Sequence, residues 1–362
     1  MTPEQREQME QHVTAIAQIL YDDAEAKGMS MNSMAEIEQT VRSQLQSHVS
    51  PELGNFFINT RVGSEEGETR KLNSVLGTME VGRGQAKRLG VKPRVQQSPL
   101  MELCCLSMGA KGSYASASGD VELLTGMKVS AKTVERIVAR NPIAAASTDG
   151  PVSEVALDGG MVRLVTPKGE PSEWKQYKAV RIDGDGGGMA WFNDNPALLD
   201  WMNALAYASV VFCLGDGHSG IWSLFGQVEA IPKRDEVLDW YHLMENLHKV
   251  GGSLKRLAKA RVLLWQGKVD ETLELFDGLN SEQARRFRVY LEGHRSRIVN
   301  YSYYQQEGLP IGSGAVESLI KQIDARVQVT GAQWKAQNVP QILALRCAYL
   351  NHQLDFNSLA SG

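Results

Sequence analysis

Three carboxylates, Asp158, Asp216 and Glu317, stand out from the 42 acidic residues of this chain by their surroundings. Asp158 follows the apolar run Val155 to Leu157 and precedes Gly159 and Gly160. Asp216 follows Val210 to Leu214 and lies between Gly215 and Gly217. Such runs read as strands, so both aspartates are expected at strand ends, where a sheet aims a side chain and glycine lets backbone or ligand approach. Asp-Gly is equally the chemistry of a turn, so neither pair is specific alone. Glu317 falls in Ile311-Gly-Ser-Gly-Ala-Val-Glu-Ser318. There Ser313 can cap a helix with Val316, Leu319, Ile320 and Ile323 on one face and Glu317, Lys321 and Asp324 on the other. Two strand-borne aspartates and a helix-borne glutamate make an oxygen-rich cage suited to Mg²⁺ or Mn²⁺. Two such ions, about 3.5 to 4 Å apart, clamp the attacking and leaving oxygens of an in-line phosphoryl transfer.

A supporting pair is offered by Asp239-Trp-Tyr-His242. His242 can serve the site, or it can cap or hydrogen-bond within a core built on Trp240 and Tyr241. His248 is six positions on, about 240° around a helix, and is a poor co-ligand for His242. Cys104, Cys105, Cys213 and Cys347 sit in apolar surroundings without repeated spacing, which suits reduced, buried thiols. Neither disulfides nor zinc is expected.

The elements that must carry these side chains are read from periodicity. Residues 1–50 form a helical hairpin, with Met9, Val13, Ile16 and Ile19 near one face, an interruption at Gly28 and a second periodic stretch after Asn32. Residues 51–99 are an irregular basic linker or small unit with one strand, Val75 to Val81. Residues 100–150 hold a helix-turn-helix, with Gly126 between its helices, Ser130 as cap of the second, and Lys132, Arg136 and Arg140 exposed. Residues 151–245 and 305–352 form an α/β core: strands at Val155 to Leu157, Met161 to Val165 and Trp174 to Ile182, a helix from Pro196 to Ala208 and a strand from Ser209 to Leu214. A helix at Ile221 to Val228 and a short strand at Glu236 to Trp240 follow. This order is that of a ribonuclease H-like core. Residues 246–304 are an all-helical insertion before Glu317.

The chain has 362 residues, 43% of them hydrophobic, enough for two or three cored units. Its longest apolar stretch, Ala204 to Leu214, falls short of the roughly 20 residues that span a bilayer, and no leader-like segment opens it, so a cytoplasmic, nucleoid-associated protein is expected. Net charge is −4, yet the asymmetry is local. The first 38 residues are acidic, which fits self-association or autoinhibition better than DNA contact. Arg83, Lys87, Arg88, Lys92 and Arg94 form a run without an acid, and basic clusters recur at Lys255, Arg256, Lys259 and Arg261, and at Arg285, Arg286 and Arg288.

In order, Asp158-Gly159, Glu173-Trp174-Lys175, Leu214-Gly-Asp-Gly217, Asp239-Trp-Tyr-His242, Gly312-Ser-Gly-Ala-Val-Glu317 and Gly331-Ala-Gln-Trp334 resemble the ISKra-type insertion-sequence transposases, of the Mutator-like group. The resemblance covers roughly residues 100 to 350. It implies a DDE transposase with a ribonuclease H-like core that cuts and joins DNA ends with two Mg²⁺ or Mn²⁺ ions. Asp158, Asp216 and Glu317 would be the catalytic and metal-holding triad, with Asp239 and His242 in support. Double-stranded DNA would be the partner, met by Arg83, Lys87, Arg88, Lys132, Arg136, Arg326 and Trp334, the last being equally suited to a core. Joining two ends implies a homodimer or larger assembly. A nuclease that cuts without joining, and an inactive transposase-derived DNA-binding protein, are the alternatives. The paired cysteines such transposases often carry before the helix-turn-helix are missing from Thr60 to Arg94, in keeping with no zinc.

Overall fold

A computed structural model describes residues 1–64, 67–148, 150–183 and 187–354. They form a mixed α/β structure in two units, Met1–Asn141 and Pro142–Gln353. Among the described residues no helix is long and apolar enough to cross a membrane.

The first unit opens with helices α1 (Pro3–Ala26) and α2 (Met34–Gln44), each started by a capping box, Thr2 with Gln5 and Ser33 with Glu36. A π-helical turn, Leu45–Val49, leads into α3 (Ser50–Val62). The stretch expected to be a linker thus begins with a helix. Strands β1 (Thr69–Ser74) and β2 (Gly77–Gly82) pair antiparallel around Val75 and Leu76, and α4 (Arg83–Arg88) follows. The strand expected at Val75 starts two residues later, because Gly77 takes φ 113° and a Cβ there would lie 2.3 Å from the Gln46 carbonyl oxygen. β1 lacks a strand signal because Thr69-Arg-Lys-Leu-Asn-Ser74 is polar; Leu72 alone carries it into the small core with Met79, Val81 and Ala86.

Helices α5 (Pro99–Lys111), α6 (Tyr114–Thr125) and α7 (Ala131–Arg140) pack on one another through Met101, Cys105, Leu106, Ala117, Val121, Val134 and Ile137, all fully buried. Gly126 ends α6 in the left-handed conformation, and Ser130 caps α7. Arg42 and Gln46 donate to the last carbonyls of α6, at Leu123 and Thr125.

The second unit is built on a five-stranded sheet in the order β5-β4-β3-β6-β7, from β3 (Val152–Leu164), β4 (Glu173–Ile182), β5 (Gly188–Phe192), β6 (Tyr207–Gly215) and β7 (Arg234–Leu238). β3, β4 and β5 are an antiparallel meander, and β6 and β7 add in parallel. Helix α8 (Asn195–Asn203) leads into β6, and α9 (Ser219–Gln227) joins β6 to β7. Two of the expected strands, Val155 to Leu157 and Met161 to Val165, are one continuous strand through Asp158, Gly159 and Gly160. The third strand of the meander is instead β5, which is short, begins with glycine and carries little strand signal of its own.

After β7 come α10 (Trp240–Lys249), α11 (Leu254–Trp265), α12 (Val269–Glu274), α13 (Glu282–Gly293) and α14 (Tyr301–Gln306). Trp240, Trp265 and Tyr301 form their aromatic centre, and the Tyr301 hydroxyl donates to the Leu238 carbonyl at the end of β7. Helix α15 (Gly314–Val327) then packs on β3 and β4, and α16 (Val339–Leu350) on β5.

Candidate active site

β3 and β6 pair in parallel up to Ala156↔Leu214 and no further. Asp158 and Asp216 each stand two residues beyond that last pair. β6 ends at Gly215, so Asp216 occupies the expected strand end. Asp158 does not: it lies inside β3, opposite Ala179 of β4. What ends beside it is the parallel neighbour, so β3 runs on past the edge of β6 with its carboxylate beside the open end. Gly159 and Gly160 are strand residues rather than a turn. A Cβ on Gly160 would lie 2.2 Å from the Tyr177 ring, so this glycine makes room for a tyrosine rather than a ligand.

Burial pushes the Asp158 carboxyl above its ordinary range; the Gly159 N–H and the charge of His242 oppose the shift, while the negative charges of Asp216 and Glu317 add to it. Asp158 thus feels the charges of the other two acids. One oxygen of each aspartate is engaged, Asp158 Oδ1 by the Gly159 N–H at 2.6 Å and Asp216 Oδ1 by the His218 N–H at 2.8 Å.

Glu317 lies in the first turn of α15, half-buried, with Lys321 Nζ 3.9 Å from one carboxylate oxygen. Its helix is held from β4 by Tyr177, whose buried hydroxyl donates to Asp324 at 2.8 Å, two turns further on.

Asp239 organises the other side. It is fully buried and caps α10. Oδ1 accepts from the His242 N–H at 2.7 Å and lies 3.2 Å from His242 Nδ1, while Oδ2 accepts from both the N–H and the hydroxyl of Ser313. Burial alone would push this carboxyl up; the bonds from His242 and Ser313 outweigh it and hold it below the ordinary range. Ser313, expected to cap α15 with its side chain, instead directs that hydroxyl to Asp239, and it stands 3.4 Å from Glu317 Oε1. Gly312 permits the approach, since a Cβ there would be 2.9 Å from Asp239 Oδ2.

His242 Nδ1 lies 3.7 Å from Glu317 Oε1 as well. The bond to Asp239 raises the imidazolium to about 9 against the opposing effect of burial, with the charges of Asp239, Glu317 and Asp216 adding. Ligand atoms of Asp239, His242 and Glu317 all lie within 4.8 Å of one another, and this acid and histidine group could hold a metal ion. Asp158 and Asp216 lie outside that group. Asp239 already has four donors, and an imidazolium carries no lone pair for a cation. Asp158 and Asp216 each keep one oxygen with no hydrogen-bond donor among the described residues.

Two residues expected at a DNA surface are in the interior. Arg326 is 2% exposed and its guanidinium lies 5.0 Å from the centre of the buried Trp334 ring. Trp334 donates from Nε1 to the Val327 carbonyl and pairs by its backbone with β3 at Leu164. An α15 face that buries Ile323 and Val327 takes Arg326 in with them. Arg83, Lys87 and Arg88 are exposed on α4, and Arg136 is exposed on α7. Lys132 is bound to Glu135 at 2.8 Å, and Arg140, exposed as expected, is bound to Glu102 of α5. The two basic clusters of the helical region also part company. Arg285 and Arg286 pair with Glu282, and Arg288 with Asp277, whereas Lys255, Lys259 and Arg261 are exposed on α11 with no ion pair among the described residues.

Nothing in the sequence pointed to Tyr290 and His294 of the α13 region, which lie against the Asp216-Gly217 turn. A Cβ on Gly217 would be 2.7 Å from the Tyr290 hydroxyl, and the same hydroxyl is 3.5 Å from the Asp216 carbonyl oxygen. Their separation of more than seventy residues from Asp216 hides the contact. Ser313 is visible in the sequence as a small residue between glycines, but its partner is not.

No family model matches this chain, and neither does any curated protein.

Proposed function

We propose that the second unit is the catalytic core of a DDE transposase, of ribonuclease H-like type, which cleaves DNA and transfers the resulting 3′ ends. The observation that carries this reading is the register of Asp158 with Asp216 at the open end of β6, with Glu317 of α15 acting on the same carboxyl. The strand order, three antiparallel and two parallel, agrees with such a core.

The donor set fits Mg²⁺ or Mn²⁺. It is all oxygen, it concentrates negative charge in a half-buried place, and it retains unengaged carboxylate oxygens. Asp158 and Asp216 would hold two ions, with Glu317 completing one shell; when bound, the ions supply an activated water or hydroxyl and neutralise charge on the phosphate.

The chain's own residues set that stage. Asp239 fixes His242 from one oxygen and Ser313 from the other, so the helix bearing Glu317 and the imidazole are aimed together. His242 Nδ1 holds its proton between Asp239 and Glu317. Tyr177 braces the same helix further along. Double-stranded DNA is the partner the exposed cations of α4 and α11 favour.

The test uses DNA carrying the segments that flank this chain's own coding region, with Mg²⁺. Wild type is expected to release 3′ hydroxyl ends and join them to a second DNA, and Glu317→Gln to bind but not cut. Undiminished cleavage by Glu317→Gln sinks the assignment. Cleavage with no joining of a pre-cut 3′ end would leave a nuclease.

A further inference from the structure

Helix α1 is built but barely packed. Every residue from Met1 to Ile19 is exposed, and burial begins only at Leu20 and Ala24, where α2 lies against it. Five turns of exposed helix rest mainly on propensity and capping, and an apolar face contributes little until something covers it. Yet α1 has such a face: Met9, Val13, Ile16 and Leu20, spaced four, three and four, form one stripe.

The charges say what covers it. At 3.6 residues per turn, Glu4, Glu7, Asp22 and Glu25 fall on the side away from the stripe. Gln5, His12 and Ala17 flank it. The charged neighbours are Arg6 and Glu10, of opposite sign and four residues apart, and Asp23, which Lys27 and Gln44 already hold. An acidic helix that keeps its acids off its apolar seam can meet a copy of itself without like-charge repulsion, which a basic or acidic partner groove would not require.

The stripe is open to a partner. Within the chain Met9 is 44%, Val13 55% and Ile16 40% exposed.

We propose that this chain forms a dimer in which α1 of one copy pairs with α1 of the other along Met9, Val13, Ile16 and Leu20. The assignment is independent of any catalytic role.

Sedimentation equilibrium of the full chain tests it. Wild type is expected at twice the monomer mass at micromolar concentration. Val13→Glu with Ile16→Glu should weaken the dimer by about 100-fold or more, with unchanged melting of the remainder, because these side chains are exposed within the chain. Glu7→Gln, on the far side of the helix, should leave the dimer intact. A second readout is Val13→Cys under mild oxidation, expected to give a disulfide-linked dimer. A monomeric wild type, or a double variant that dimerises as wild type does, overturns the proposal.

Discussion

Asp158, within β3, and Asp216, just past the end of β6, each stand two residues beyond the last parallel pair, Ala156↔Leu214, although 58 positions separate them in the chain. Parallel neighbours lie about 4.8 Å apart, so the pairing of β3 with β6 brings the two acids to one end of the sheet. The consequences for metal binding and stability run in opposite directions.

Replacing either aspartate by asparagine removes a hard anionic ligand and a repulsive charge together. Asp216→Asn is expected to abolish Mn²⁺ binding in titration calorimetry and to lower DNA cleavage by about 10³-fold or more. In chelator, the same variant should melt at or above the wild-type temperature, since Asp216 adds to the burial that disfavours ionised Asp158. A lower melting point in chelator together with intact Mn²⁺ binding would contradict the role given to this pair.

Asp239 should matter more for order than for ligation. Asp239→Ala leaves His242 and Ser313 without their shared acceptor in a fully buried place, and is expected to cost about 3–5 kcal/mol in denaturant unfolding. Ser313→Ala removes one of four donors and should cost about 1–3 kcal/mol while weakening cleavage. If Ser313→Ala were silent in both unfolding and cleavage, the coupling of Asp239 to Glu317 through this serine would be wrong.

The Tyr177 brace has a pH signature. Burial raises the Asp324 carboxyl above its ordinary range, and the Tyr177 and Gln328 donors oppose that shift. A raised folded value means Asp324 favours the fold while protonated and that its contribution is lost as pH rises through the folded value. Tyr177→Phe removes a donor to the ionised form, so its penalty, about 1–2 kcal/mol, should appear at neutral pH and shrink where Asp324 is protonated. Unfolding curves of variant and wild type, compared at neutral and acid pH, decide this. A penalty independent of pH would mean the hydroxyl serves packing only.

On α11, Lys255→Glu, Lys259→Glu and Arg261→Glu together should weaken binding of a mixed-sequence duplex and reduce the salt dependence of affinity by about 0.9 for every phosphate no longer neutralised. Arg285→Ala with Arg286→Ala should change it less, because Glu282 already neutralises that pair. The reverse ranking would move the DNA to α13.

Much of the local structure is legible because it rests on short-range rules. Gly126 and Ser130 end one helix and begin the next by backbone chemistry, the apolar runs before Asp158 and Asp216 are strands, and Glu317 follows a helix start. Where local rules compete with pairing, pairing wins. Gly159 and Gly160 spell a turn, but pairing with β4 across Gly160↔Tyr177 keeps them in a strand. β1, with Leu72 as its one leucine in the core, carries too little apolar pattern to stand out.

The sequence by itself determined which side chains could do chemistry and the order of the elements bearing them, because capping, turn and periodicity signals act within a few residues. Only the tertiary structure decided which of those side chains meet. Strand register set Asp158 beside Asp216, a buried carboxylate tied Asp239 to Ser313 across 74 positions, and Arg326 and Trp334 went inside rather than to the surface. These outcomes depend on which faces are covered when the sheet and helices pack, and no run of neighbouring residues contains that information.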